Sequence, residues 1–225
     1  ALMTAGWFAL RLNRPNLAGL SIGLATCLKM YPGLLLVYLL FRHRQAFVAA
    51  AATILLVTIG TGLFAGWQNF ADYFEAARFV SERYGAHGCN LSLQALLLHL
   101  SDELNFSPAA ARGLFGVMGI AIAAGLVGLF TSRTVDERQP QRRLDLEFSV
   151  SLTLMPLLSP IAWHHYLSIL LLPLAVWGQR MLEQPRSRAL GFVALFLPLA
   201  MPDDWPWLFH LPEGLVLSLL DRKST

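Results

Sequence analysis

The chain has 225 residues, of which 56% are hydrophobic and 14% charged, and its mean hydropathy is +0.54. A soluble domain carries about 25% charged residues, so a water-facing globular surface is excluded. The net charge of +3 comes from basic residues gathered at the ends of apolar runs, a pattern that marks membrane topology and argues against a nucleic-acid partner.

Residues 15–40 form the first apolar stretch, and both flanks are basic. Equal flanks ask for an even number of crossings, yet 26 residues are too few to cross twice at about 20 residues each. Lys29 sits near the middle, followed by Tyr31-Pro32-Gly33, which interrupts a helix. Two arrangements fit: a re-entrant pair of half-helices hinged at Lys29 to Gly33, or one long span with one flank against the charge rule. Cys27 lies in this stretch and Cys89 in a polar loop, so they form no disulfide framework.

Residues 45–65 are uncharged and long enough to span. The following segment, 66–107, mixes Asp72, Glu75, Glu82, Asp102 and Glu103 with Trp67, Phe70, Tyr73, Phe74, Phe79 and Tyr84. Between Asn69 and Arg83 the pattern predicts an amphipathic helix on the membrane surface. A flexible turn, Gly85-Ala86-His87-Gly88-Cys89-Asn90, comes next. Leu91 to Leu100 is apolar but too short to cross, and is expected to dip into the protein.

Residues 113–132 are a second clean span, with Arg112 at its outer end. From 148 to 179 there is no Asp, Glu, Lys or Arg. As one helix this run would reach roughly 48 Å, against about 30 Å of bilayer core. It reads instead as two segments meeting at Ser159-Pro160-Ile161-Ala162-Trp163-His164-His165, the first running through Pro160 to Trp163 and the second starting at His164. A shorter segment, 189–201, is a further expected span, and Trp205 and Trp207 beside Asp203 and Asp204 an aromatic belt. The chain begins inside an apolar stretch and stops just after residues 215–220, so more sequence is expected at both ends.

Basic residues assign the sides. Arg11, Arg14, Arg42, Arg44, Arg133, Arg138, Arg142, Arg143, Arg180, Arg186 and Arg188 fall in alternating segments, whereas 66–107 and 202–214 hold only Arg78 and Arg83. The first set is placed in the cytoplasm, with His43 as an anchor there. The His-His corner and segment 66–107 then share the outer face. The expected fold is an all-α, polytopic transmembrane bundle, with residues 1–225 as one domain.

Ionisable groups at membrane depth suggest a site before scaffolding. His164 and His165 are able to donate hydrogen bonds or move a proton, since imidazole titrates near neutrality; equally, headgroups solvate them as interfacial residues. Arg112 is a functional cation or a snorkelling anchor. Lys29 contacts a ligand at a half-helix end or pairs with a buried acid. Asn90, Ser92 and Gln94 are polar groups able to orient hydroxyls.

The apolar helix running into Lys29-x-x-Pro32, the loop from Trp67 to Asn90-Leu91-Ser92-Leu93, and Ser159-Pro160-Ile161-Ala162-Trp163-His164-His165 resemble, in order and separation, glycosyltransferase family 87. These are polytopic GT-C enzymes that use polyprenyl-phosphate sugars, among them α-1,2-mannosyltransferases. The resemblance covers roughly residues 15–174. It implies transfer of a sugar, mannose in the best studied members, from a polyprenyl-phosphate donor to a lipid or glycan acceptor. It also implies a multi-pass protein of a bacterial inner membrane with its site on the outer face. His164 and His165 would be catalytic, and Lys29, Asn90, Ser92, Arg112 and Trp163 would bind substrate. No metal ligand set is evident and no cofactor is expected, with divalent-metal dependence left open. The family's acidic base belongs to a first outer loop, expected before Ala1, and none of Asp72, Glu75, Glu82, Asp102 or Glu103 matches it. The competing function is a transporter or flippase for a lipid-linked substrate with Lys29 in a midplane site; a non-catalytic membrane assembly protein is a third.

Overall fold

The computed structural model describes residues 1–132 and 140–182. The expected span at 189–201, the belt around Trp205, and Arg133, Arg138, Arg186 and Arg188 lie outside the described residues, as does the side chain of His164. Among the described residues there are helices and no strands. The chain divides into two compact units, Ala1–Trp177 and Gly178–Thr225; the first carries every feature below.

Nine α-helices follow in order among the described residues: α1 (Leu2–Arg11), α2 (Pro15–Leu28), α3 (Leu34–Arg42), α4 (Arg44–Ala65), α5 (Gln68–Tyr84), α6 (Leu93–Glu103), α7 (Pro108–Thr131), α8 (Pro140–Leu158) and α9 (Leu171–Leu182). Short 3-10 segments, Tyr31–Gly33 and His164–Leu170, lie before α3 and α9. Only α4 and α7 are long and apolar enough to cross a membrane among the described residues, and they fall on the two clean spans read from hydropathy.

The arrangement of α1 to α4 follows from small residues. Asn13 takes a left-handed φ of 55° in the tight turn after α1, a conformation that Asn tolerates better than bulkier residues. The turn folds α1 back on α2, where a Cβ on Gly6 would meet Ile22 Cγ1 at 2.8 Å. A Cβ on Gly19 would strike Ala49 Cβ at 2.6 Å, and one on Gly23 would strike Thr53 Cβ at 2.8 Å. Four residues on along α2 thus meet four residues on along α4, so the two helices run parallel, packed closely as small-xxx-small spacing permits. Gln45 Nε2 donates to Asn16 Oδ1 at 3.2 Å, so both starts lie at the same end.

This geometry decides between the two arrangements left open for residues 15–40. α2 leaves that end, the chain breaks at Lys29 to Gly33, and α3 returns to it. A single span would separate Asn16 from Gln45 by the length of the helix. The break is Pro32, which lacks an N–H and is buried within the 3-10 turn.

The principal core gathers Ile22, Leu35, Tyr38, Leu39, Phe130, Phe148, Leu152 and Met155 from α2, α3, α7 and α8. Tyr38 packs edge-on to Phe130 and Phe148 at 5.3 and 5.9 Å between ring centroids, a favourable arrangement of ring quadrupoles. A smaller cluster, Leu97, Leu98 and Ala111 with Phe106 and Phe115, joins α6 to α7. Only one face of Leu91 to Leu100 packs inward, with Ala95, Leu97 and Leu98 buried while Leu91 and Leu96 stay exposed.

Where α3, α7 and α8 meet, at the end carrying most of the arginines, a charged network closes the core. Glu147 is 3% exposed. It accepts from Arg42 Nε and Nη2, at 3.0 and 2.7 Å, and from Arg143 Nε at 2.9 Å. Arg42 and Arg143 also donate to the carbonyl of Ser132, just past the end of α7. Arg42 is therefore more than a topology marker: it is turned inward to a carboxylate. His43 is not a free anchor either; it is half-buried, with Nε2 at 3.1 Å from Tyr38 Oη.

Candidate functional site

Three breaks in the helical path converge at the opposite end. The first is the α2–α3 turn. Lys29 extends α2 by one residue in extended conformation, and its Nζ lies 4.0 Å from the Tyr166 ring centroid and 5.8 Å from that of Tyr31. The two tyrosine rings are 5.2 Å apart. An ammonium over a ring face is held by the ring quadrupole, so Lys29 is fixed in place while remaining exposed.

The second break is the Ser-Pro corner. α8 stops at Leu158 rather than running through Pro160 to Trp163 as its hydropathy suggested. Pro160 brings no N–H and forces Ser159 away from helical torsions. The second segment does begin at His164, as expected, but as a 3-10 turn whose first internal bond runs from Tyr166 N to Trp163 O at 2.8 Å. His165 is exposed, and its ring stands at 88° to Tyr166 with centroids 4.6 Å apart. Tyr166 thus sits between Lys29 and His165, residues far apart in sequence.

The third break is the turn before α6. Asn90 and Ser92 are buried. Asn90 Nδ2 donates to Gly85 O at 3.0 Å and Pro160 O at 3.1 Å; its Oδ1 accepts from Ser92 N at 3.1 Å and Ala162 N at 2.9 Å. Leu91 N donates to Ala162 O at 2.7 Å. Ser92 Oγ donates to Pro160 O and caps α6 by accepting from Ala95 N. The polar atoms of both side chains are committed to backbone groups of the Ser-Pro corner, the end of α5 and the start of α6. These residues hold the corner in shape. Gln94, also a hydroxyl candidate, is buried in α6 as well.

Trp163, next to Ala162 of this clamp, is half-buried and packs edge-on to two rings. Its ring lies 5.6 Å from His87 and 5.9 Å from Tyr84. Cys89 N donates to His87 Nδ1 at 3.2 Å, which leaves the proton of the neutral ring on Nε2. Neither Tyr84, His87, Tyr31 nor Tyr166 was a site candidate in the sequence. His87 lay in a glycine-bounded turn that reads as mobile, and only its contact with Trp163 brings it to the site.

Arg112 stands apart. It is exposed in the second turn of α7, whose start is set by the Ser107 cap and Pro108. It lines a cleft of about 730 Å³ with Glu82, His99, Asp102, Asn105 and Phe106. The structure thus brings together Lys29, Asn90, Ser92, Trp163 and His165, with Arg112 in the adjoining cleft.

The Lys29 end therefore presents a fixed ammonium, an exposed imidazole, and an aromatic wall of Trp163 with a preset N–H donor beside it. Such a surface suits an anionic phosphate next to a flat polar ring. Glycosyltransferase family 87 matches residues 1–160, ending just before Trp163-His164-His165. A polyprenol-phosphate-mannose-dependent alpha-(1-2)-phosphatidylinositol pentamannoside mannosyltransferase of Mycobacterium tuberculosis is 29% identical over 217 residues, covering 94% of this chain and 47% of its own. The protein of the same description from Mycolicibacterium smegmatis is 29% identical over 220 residues, with 94% and 50% covered. The chain spans about half the length of these curated relatives. No solved structure matches. With most of its length matched and the motif residues gathered at one end of the fold, the chain belongs to glycosyltransferase family 87.

Proposed function

We propose that this protein transfers a sugar, mannose by similarity to its relatives, from a polyprenyl-phosphate donor to a lipid or glycan acceptor on the outer face of a bacterial inner membrane. α4 and α7 cross the bilayer, α2 and α3 enter and leave from the cytoplasmic side, and α8 and α9 complete a polytopic bundle. α5 lies in the outer interface: Phe70, Tyr73, Phe74, Ala77, Val80 and Tyr84 share one helical arc, while Asp72, Glu75, Arg78 and Glu82 share the other.

In the reaction an acceptor hydroxyl oxygen attacks the anomeric carbon and forms the new glycosidic bond. The bond from that carbon to the phosphate oxygen breaks, and polyprenyl phosphate leaves with the electron pair. The hydroxyl proton goes to a general base, a role given to none of the carboxylates of this chain. The leaving phosphate gains charge as the bond breaks, and preorganised cations and N–H donors facing it lower the barrier. Lys29, fixed by Tyr31 and Tyr166, and His165 are assigned that work, with His164 as the second catalytic histidine. Trp163 forms the wall against the sugar. Asn90 and Ser92 position the corner.

The observation that carries this reading is the 4.0 Å approach of Lys29 Nζ to Tyr166, which sets an ammonium beside the His-His corner across the whole sequence. The test is single-turnover transfer from polyprenyl-phosphate mannose by the full-length protein in membranes. Lys29→Met should lower the rate by about 10² or more, as for loss of one oxyanion donor, while membrane insertion is retained. Unchanged transfer in Lys29→Met would sink the assignment.

A further inference from the structure

The cleft beside Arg112 is separated from the Lys29 end by one strap of chain, the end of α5 and the turn after it. Glu82 and Tyr84 are two residues apart, so they point about 200° apart around the helix. Tyr84 packs on Trp163, whereas Glu82 and Ala86 line the cleft. The far wall is α6, with His99 and Asp102, and the floor is the turn carrying Asn105 and Phe106. Asn105 follows the C-cap of α6 with a φ of 55°, the left-handed torsion that Asn readily takes after a helix end.

The lining is of mixed sign. Arg78 Nε holds Glu82 Oε1 at 2.9 Å, which fixes that carboxylate. Asp102 and Arg112 share the cleft without pairing: among the described residues, no side-chain hydrogen bond or ion pair is made by His99, Asp102 or Arg112. Free acceptors and free donors in one space suit neither a simple anion nor a simple cation. They suit a ligand whose groups both donate and accept, and hydroxyls do both. Phe106 adds an apolar patch against which the C–H face of a sugar ring packs. At about 730 Å³ the space is in the range of pockets that bury a ligand of drug size.

We propose that this cleft binds the oligosaccharide headgroup of the acceptor, with Glu82, Asp102, Asn105 and Arg112 as its hydrogen-bonding residues. The proposal rests on the glycosyltransferase reading and adds to it where the acceptor sits. The headgroup lies against the strap, and its accepting hydroxyl reaches past Tyr84 and His87 to the sugar beside Trp163. Binding energy gathered here, away from the reacting atoms, orients that hydroxyl. Arg112 is on this reading an acceptor ligand rather than a phosphate ligand.

The probe is α-mannotriose, titrated into the full-length protein in lipid nanodiscs and followed by saturation-transfer NMR. Asp102→Asn and Arg112→Gln change exposed side chains with little change of volume, and each should weaken binding about tenfold, as for loss of one charge-assisted hydrogen bond. Lys29→Met should leave trisaccharide binding unchanged. Transfer assays on the same variants should show a raised acceptor KM and an unaltered donor KM. Trisaccharide binding that is absent in the unsubstituted protein, or indifferent to both substitutions, would overturn the cleft assignment even if transfer stands. Binding that responds to both substitutions in a protein that transfers no sugar would keep the cleft and defeat the enzymatic reading.

Discussion

Asn90 Oδ1 accepts a hydrogen bond from Ala162 N at 2.9 Å, joining two segments 72 residues apart. The same amide donates to Pro160 O and Gly85 O. One side chain therefore ties α5, α6 and the Ser-Pro corner into a single piece. It is buried, and without it Ser92 N and Ala162 N would lose their acceptor, at about 1–3 kcal/mol for each, while Pro160 O would keep Ser92 Oγ.

Substitution at Asn90 should consequently act through shape. Asn90→Ala removes the acceptor for Ala162 N and the donors to Gly85 and Pro160. Asn90→Asp keeps the acceptor and loses the donors. Both should lower kcat, with Ala the more severe, and both should raise the protease sensitivity of the turn at 85–90. A merely ligand-contacting asparagine would change KM and leave proteolysis as it was.

The histidines should separate. His165→Ala is expected to slow single-turnover transfer by about 10² or more and to weaken donor binding less, because charge collects on the phosphate mainly as the bond breaks. His165 lies in the 3-10 turn and packs on Tyr166, so its direction is fixed. Equal rates in the wild type and His165→Ala would reduce it to an interfacial residue.

At the arginine-rich end, Glu147→Gln should be strongly destabilising. It leaves Arg42 and Arg143 with uncompensated charge in a largely buried setting, a loss of about 3–5 kcal/mol for one broken buried pair. Part exposure of both arginines puts the outcome at the low end of that range. Transfer by the fraction that remains folded should be normal, since the network lies at the other end from Lys29. Thermal unfolding in detergent, with and without Glu147→Gln, measures the first; activity per folded molecule measures the second.

Burial pushes the His43 imidazole below its ordinary pKa. The residue lies at the α3–α4 junction, outside the spans, and shares a pocket with Tyr38, Arg42, Arg143 and Glu147. Above about pH 6.5 both folded and unfolded states are neutral here and the group adds no pH dependence. As the pH falls below that, the unfolded chain takes up a proton before the folded one does, and stability declines until the folded pKa is passed. His43→Gln should therefore lose less of its thermal midpoint between pH 7.5 and 5 than the wild type. An identical loss would place the acid sensitivity elsewhere.

The two long apolar helices, α4 and α7, were legible because an uncharged apolar run of about 20 residues stands out as long enough to cross a bilayer core, and the breaks at Pro32 and Pro160 because proline has one effect in a helix. The direction taken after Lys29 was not legible. Flanking charge fixes the parity of crossings, while the choice rests on Gly19 and Gly23 finding Ala49 and Thr53 on another helix. Asn90 and Ser92 turn their polar atoms to backbone groups, and that direction is not written in the sequence, which shows that a polar residue is present, not which way its amide turns. Glu147 drew no notice because it borders an apolar run, where a carboxylate looks like the run's boundary. His87 went unread because its role exists only once Trp163 has been folded against it.

The parallel contact between α2 and α4 sets an order of events during synthesis. α2 has 14 residues, about 21 Å of helix, and this is too short to settle across a bilayer by itself. Its seat is the surface of α4 near Ala49 and Thr53, which the ribosome makes later. Until α4 is made, α2 has only α1 to pack on, at Gly6 and Ile22, and Tyr166, whose ring holds Lys29, is made later still. Placing that ammonium is thus a late step of assembly, and a wider side chain at Gly19 or Gly23 would part α2 from α4 and displace it.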